Sequence, residues 1–242
     1  MGSSLDFDIA QFGVARSHVL EVVAQACRRA GRDPGEVTLV AVSKTVDVSR
    51  LRAAVAAGLT LLGENRVQEA ESKAPSVPGA RWHLIGPLQS NKARRAVELF
   101  DVIESVDSVD LARRLDRLAW DAARVPLGVY FQVNVDLDEA KAGFTPESLA
   151  TELPELLELR NLRPLGLMTV GHLVETPEEA RPTFVRLREL SARLREGTGG
   201  LGAGLSMGMS DDYPVAVEEG ATVVRVGRAL FGTRPVVPAG PL

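Results

Sequence analysis

One feature limits what this chain can fold into more than any other. Short β-rich runs alternate with helical stretches eight times in order. An amphipathic helix opens the chain over 8–31, with Ile9, Phe12, Val19, Val22, Val23 and Ala26 at its apolar positions. Strands are predicted at 37–44, 60–65, 81–86, 101–106, 125–134, 163–168, 204–208 and 222–227. Helices are predicted at 48–57, 66–74, from Ser90 or Asn91 onward, and at 108–123, 146–158, 177–196 and 211–219, with a last turn from Arg228. The strands are continuously apolar, as strands buried on both faces of a parallel sheet are. Eight such units in about 200 residues predict a closed (β/α)8 TIM barrel rather than an open doubly wound sheet. The expected organisation is one domain over 1–242, with an N-terminal helix and turn over 1–36 and the barrel over 37–233. Fifteen residues follow Gly227, so no room is expected for a second domain.

Composition excludes several function classes. The 28 basic and 32 acidic residues leave a formal charge of −4, so no nucleic-acid face is expected. Cys27 is the single cysteine, which excludes a disulfide framework. His18, His83 and His172 lie far apart, so no structural zinc site is expected. The start MGSSLDFDIAQF has neither a basic opening nor an apolar core, and no run approaches bilayer-spanning length. A cytoplasmic protein with no membrane partner is expected. GTGGLGAG at 197–204 lacks the spacing of a dinucleotide fingerprint.

In such barrels the chemistry sits at the C-terminal ends of the strands. Only four of the basic residues are lysines, and Lys44 ends the first strand in phase with Val40 and Val42. An amine at a barrel interior is costly to bury charged, which makes Lys44 a candidate Schiff-base nucleophile. A strand-end lysine that reaches solvent is the alternative. LSMGMSDD at 205–212 places Ser206, Met207, Gly208, Met209 and Ser210 in a turn before a helix. Gly208 permits positive φ there, and Ser210 is a candidate cap. VRVGRALFG at 224–232 brings Gly227 and Arg228 to the same edge. Loops after strands seven and eight form phosphate sites in barrels, though two ordinary turns would read alike. Arg225 alternates inward with Gly227, where it either meets the nitrogen of a pyridine ring or pairs with Glu64 or Glu104. Asn65 contacts a ligand or caps the helix over 66–74. His83 reads as a core histidine, Met168 as core filler, and Lys141 as a salt-bridging surface lysine.

AVSKT (41–45), GENRVQE (63–69), WHLIGPLQSNK (82–92), QVN (132–134), KAGF (141–144), GLM (166–168), LSMGMSDD (205–212) and VRVGRALFG (224–232) together resemble the YggS/PROSC family of pyridoxal 5′-phosphate homeostasis proteins. The resemblance spans about residues 37–233. It implies a single barrel similar to the N-terminal domain of alanine racemase, of fold type III. It also implies pyridoxal 5′-phosphate (PLP) held as a Schiff base on Lys44. The phosphate would lie on Ser206 to Ser210 with Gly227 and Arg228, and Arg225 would face the pyridine nitrogen. Arg66 stands where relatives often carry Tyr, and Arg228 where many carry a small hydroxyl residue.

Two functions are compatible with these residues. One is a PLP-binding protein in vitamin B6 homeostasis, which passes the cofactor to PLP-dependent apo-enzymes. The other is a PLP-dependent amino-acid racemase. Racemases that share this barrel take a tyrosine from a second domain as the acid/base group opposite the lysine. Here the two tyrosines are Tyr130, in mid-strand, and Tyr213, at a helix start. An arginine at the ring nitrogen also favours an unprotonated ring and a weak electron sink. The expectation is a monomeric cofactor holder without robust turnover.

Overall fold

The computed structural model describes residues 4–172 and 174–232. Met1–Ser3 and the predicted barrel end at residue 233 lie outside the described residues. Helix α1 (Ser4–Ala30) comes first. It is followed by β1 (Thr38–Val42), α2 (Val48–Ala56), β2 (Leu61–Glu64), α3 (Val67–Lys73), β3 (Arg81–Leu84), α4 (Ala93–Leu99), β4 (Val102–Val106) and α5 (Val109–Asp121). The second half runs β5 (Leu127–Gln132), α6 (Pro146–Leu157), β6 (Leu162–Met168), α7 (Arg181–Gly197), β7 (Gly204–Ser206), α8 (Tyr213–Glu218), β8 (Val223–Val226) and α9 (Arg228–Phe231). The strands pair in sequence order and close, β8 pairing in parallel with β1 through Thr38↔Val223 to Ala41↔Val226. The predicted (β/α)8 barrel is thus present, with every strand inside its predicted span except β6, which starts one residue earlier.

Two apolar layers hold the barrel. The larger lies between strands and helices, with Ala41, Leu62, Leu84, Ile103, Val129 and Leu167 facing outward onto it. The smaller fills the barrel with Val40, Leu61, Tyr130, Met168 and Val223. The period-2 alternation along each strand separates the two sets. Side chains start several helices: Asp47, Ser108 and Thr145 accept from the N–H groups of Arg50, Leu111 and Ser148. The helix expected from Ser90 opens as a 3-10 turn over Ser90–Lys92 before α4. Helix α1 buries Phe12, Val19, Val23 and Ala26 against α2, α8 and α9, and the Phe12 ring meets Phe231 edge-on at 5.5 Å. Strands β6 and β7 approach so closely that a Cβ on Gly166 would lie 1.9 Å from the Gly204 carbonyl oxygen. Among the described residues no helix is long and apolar enough to cross a membrane.

Candidate functional site

At the C-terminal end of β1 the chain passes from the barrel wall into a tight turn. Val40 lies in the inner layer, and the buried Ser43 faces the helices. The half-buried Lys44 follows in the turn after β1, at the C-terminal mouth of the barrel. Both flanks of Lys44 are tied down. The Ser43 hydroxyl donates to Glu64 Oε1 at 2.7 Å, and its carbonyl accepts from Lys73 Nζ at 3.0 Å. The Thr45 N–H donates to Glu69 Oε2 at 3.3 Å. Burial pushes the Glu64 carboxyl up, against the lowering influence of Lys73 and Ser43.

The loops after β7 and β8 are stitched together. Ser210 Oγ accepts from the Gly227 N–H at 3.1 Å, and Arg228 pairs with Asp211. Ser210 therefore does not cap α8. The helix begins after Asp212, whose carboxylate accepts from the Met209 N–H at 2.6 Å. Gly208 has φ +91, and a Cβ there would stand 2.5 Å from Ala216 Cβ, so only glycine fits the turn. The Met207 N–H donates to Val223 O, and its side chain is buried in the outer core. Of the backbone donors expected at an anion, those of Met207, Met209 and Gly227 are therefore engaged within the protein. Among the described residues, those of Gly208, Ser210 and Arg228 donate to nothing.

Beneath the mouth, Arg225 is 4% exposed and points inward, as its alternation predicts. It donates to the Ser206 hydroxyl and, at 2.7 Å, to the Thr169 carbonyl. Ser206 in turn donates to Glu104 Oε2, which lies 4.0 Å from Arg225, and His83 Nδ1 meets Glu104 Oε1 at 2.6 Å. Of the two expected ion-pair partners, Glu104 is the one within reach; Glu64 lies outside the barrel wall with Ser43 and Lys73. Burial alone raises the Glu104 carboxyl, but its contacts with His83, Arg225 and Ser206 outweigh that and hold it below the usual carboxylate range. Ser206 is fully buried in this relay.

Asn65 does not cap α3, whose N-cap is Arg66 without a side-chain bond. Asn65 instead lines a cleft of about 850 Å³ with Arg66, Gln68, Glu69, Gln89 and Lys92. Its backbone packs on Gly86, where a Cβ would come within 2.4 Å of the Asn65 carbonyl oxygen. Met168 is inner core, and Lys141 lies 3.6 Å from Asp138. Sequence reasoning passed over Lys73 and Glu69 and gave Glu104 only a pairing role. Signals for them exist: Glu69 and Lys73 are four apart on α3, and Glu104 alternates with the inward Val102.

Comparison with known proteins adds to this geometry. The alanine racemase N-terminal domain family matches residues 17–235. A pyridoxal phosphate homeostasis protein of Aquifex aeolicus is 41% identical over 220 residues, 90% of this chain and 96% of its own length. PipY of Synechococcus elongatus PCC7942, solved with PLP bound, is 44% identical with a TM-score of 0.77 over 87% of this chain and 100% of that one. An alanine racemase of Clostridium difficile 630 shares the fold, with 15% identity and a TM-score of 0.67 over 90% of this chain and 57% of the racemase. A barrel that carries a half-buried lysine in the turn after its first strand and joins its last two loops by hydrogen bond and ion pair, with relatives this similar over nearly their whole length, belongs to the pyridoxal phosphate homeostasis proteins, a family built on the alanine racemase N-terminal domain.

Proposed function

We propose that this chain binds pyridoxal 5′-phosphate and serves as a carrier in vitamin B6 homeostasis. The observation that supports this most is Lys44, half-buried in the turn after β1, in a chain 44% identical to a protein solved with PLP bound. The donor set suits the group. A primary amine stands in the turn after β1, and the turn at Gly208 carries no side chain at its centre. When bound, PLP supplies an aldehyde that an uncharged amine captures reversibly. Lys44 is the residue to capture it. The N–H groups of Gly208, Ser210 and Arg228 would be the donors for the phosphate, framed by Met207 and Met209 after β7 and by Gly227 after β8. Ser206 holds Arg225 in place, and Arg225 would be the residue to meet the ring nitrogen. Asn65 borders the opening.

The proposed setting is a monomer in the cytoplasm, with PLP-dependent apo-enzymes as recipients and no nucleic-acid or membrane partner. A racemase is the weaker reading, because Tyr130 and Tyr213 are 6% and 5% exposed and burial raises both phenols. The test is an absorption spectrum of the protein with PLP, borohydride reduction and peptide mapping. A reduced adduct on the peptide containing Lys44 is expected. A protein that stays colourless and unmodified with excess PLP refutes the proposal.

A further inference from the structure

The peptide groups flanking Lys44 are held by side chains of β2 and α3. Lys73 is 8% exposed, and its ammonium has three acceptors: Ser43 O at 3.0 Å, Glu64 Oε1 at 2.8 Å and Glu69 Oε2 at 3.3 Å. An ammonium has three donors, so all three are accounted for. The same Glu69 oxygen accepts the Thr45 N–H, and the same Glu64 oxygen accepts the Ser43 hydroxyl. Thr45 is β-branched yet adopts φ +66, a left-handed conformation such residues rarely take. Strain of this kind persists only where the surroundings hold it. Here the holding contacts come from β2 and α3 and close on the residues either side of Lys44.

We propose that Glu69, Lys73 and Glu64 are positioning residues that aim the Lys44 amine by fixing the backbone from Ser43 to Thr45. Through that backbone they set where the amine sits over the mouth. The consequence for cofactor capture rests on the PLP reading above; the effect on Lys44 itself does not.

Glu69→Ala is the first test, because Glu69 is partly exposed and Lys73 keeps Glu64 as its partner. Two readouts are taken. Lys44 acetylation is followed against pH without cofactor, with Lys141, which lies beside Asp138 and away from Glu69, as the reference. The rate at which added PLP becomes borohydride-reducible on Lys44 is measured separately. In Glu69→Ala the midpoint of Lys44 acetylation should move by about half a unit or more while that of Lys141 stays. The capture rate should fall about tenfold, the scale expected when a reacting group is misplaced by part of an ångström. Glu69→Gln, which keeps an oxygen for the Thr45 N–H, should recover most of the rate. Thr45→Gly frees the same hinge without touching the cluster, since glycine adopts positive φ readily. It should slow capture, and combined with Glu69→Ala it should add little, because both act on one element.

An unchanged acetylation profile in Glu69→Ala overturns the proposal. So do effects of Thr45→Gly and Glu69→Ala that simply multiply, or a loss of capture that only tracks a loss of folded protein. If the wild type captures no PLP, the cofactor reading fails, while the acetylation profiles still decide the positioning role.

Discussion

Replacing Glu104 by Gln tests the buried relay beneath the mouth. In the wild type the carboxylate accepts from Ser206, meets His83 Nδ1 at 2.6 Å and lies 4.0 Å from Arg225, with all four side chains nine-tenths buried or more. Glutamine keeps the shape and one acceptor but removes the charge. Arg225 then stays buried and cationic with only Asp212, which makes no direct ion pair with it, to oppose its charge, and breaking a buried pair costs about 3–5 kcal/mol. The Ser206 hydroxyl and the Thr169 carbonyl remain as neutral acceptors, which places the cost near the lower end, at about 3 kcal/mol. For a chain of this length 1 kcal/mol moves the midpoint by roughly 2–4 °C, so a fall of about 10 °C is expected.

The assay is thermal unfolding by circular dichroism at a series of pH values. The Glu104 carboxyl is held below its ordinary 4.5 in the fold, so its contribution is fully present above that pH. It is lost as pH falls through the lower folded value. The gap between wild type and Glu104→Gln should therefore be widest near neutrality and close in acid. Adding Arg225→Met removes the orphaned cation and should recover part of the loss. A midpoint within about 1 °C of wild type at neutral pH, or a double variant worse than the sum of its parts, would refute the reasoning.

Three other outcomes follow from the geometry. Burial first and the Glu104 charge second push the Tyr130 phenol up to about 12, so an ultraviolet titration should show one tyrosine ionising near that pH, and Tyr130→Phe should abolish that step. The raised value means a contribution present below about pH 10 and lost as pH rises towards 12; from a shift of this size it amounts to roughly 2–3 kcal/mol, read as the alkaline fall in unfolding free energy that Tyr130→Phe removes. Gly208→Ala forces a Cβ to 2.5 Å from Ala216 at φ +91, and should cost about 3 kcal/mol or more in chemical denaturation through strain and overpacking together. Arg228→Ala removes only an exposed ion pair with Asp211, and should leave the melting temperature within about 2 °C of wild type.

The barrel was legible in the sequence because its strands are apolar on both faces and its helices carry their own start signals. The strands are nevertheless shorter than their apolar runs: the predicted span 125–134 contains a strand from Leu127 to Gln132. The register shift between Val129 and Tyr130, where β5 meets β6, carries no local signature. The inward direction of Arg225 came from alternation alone, but its partner did not. Glu104 and Ser206 are 102 residues apart, and only the stagger of the closed barrel brings them together. Ser210 shows the opposite failure. A serine before a helix reads as a cap, yet its hydroxyl is taken by Gly227 from the next loop. Local chemistry offered two partners, and tertiary packing chose the distant one.

The buried charges fall into two groups, and their placement explains why the mouth holds its shape. Inside the barrel, His83, Glu104, Ser206 and Arg225 join β3, β4, β7 and β8 below the opening. Outside the wall, Ser43, Glu64, Glu69 and Lys73 join β1, β2 and α3. Neither group is the cheapest way to fill space, since apolar side chains of similar volume often pack as stably. Polar contacts are directional where apolar ones are not, and each hydrogen bond in these groups fixes an angle as well as a distance. One group fixes the guanidinium under the mouth. The other fixes the backbone on either side of Lys44.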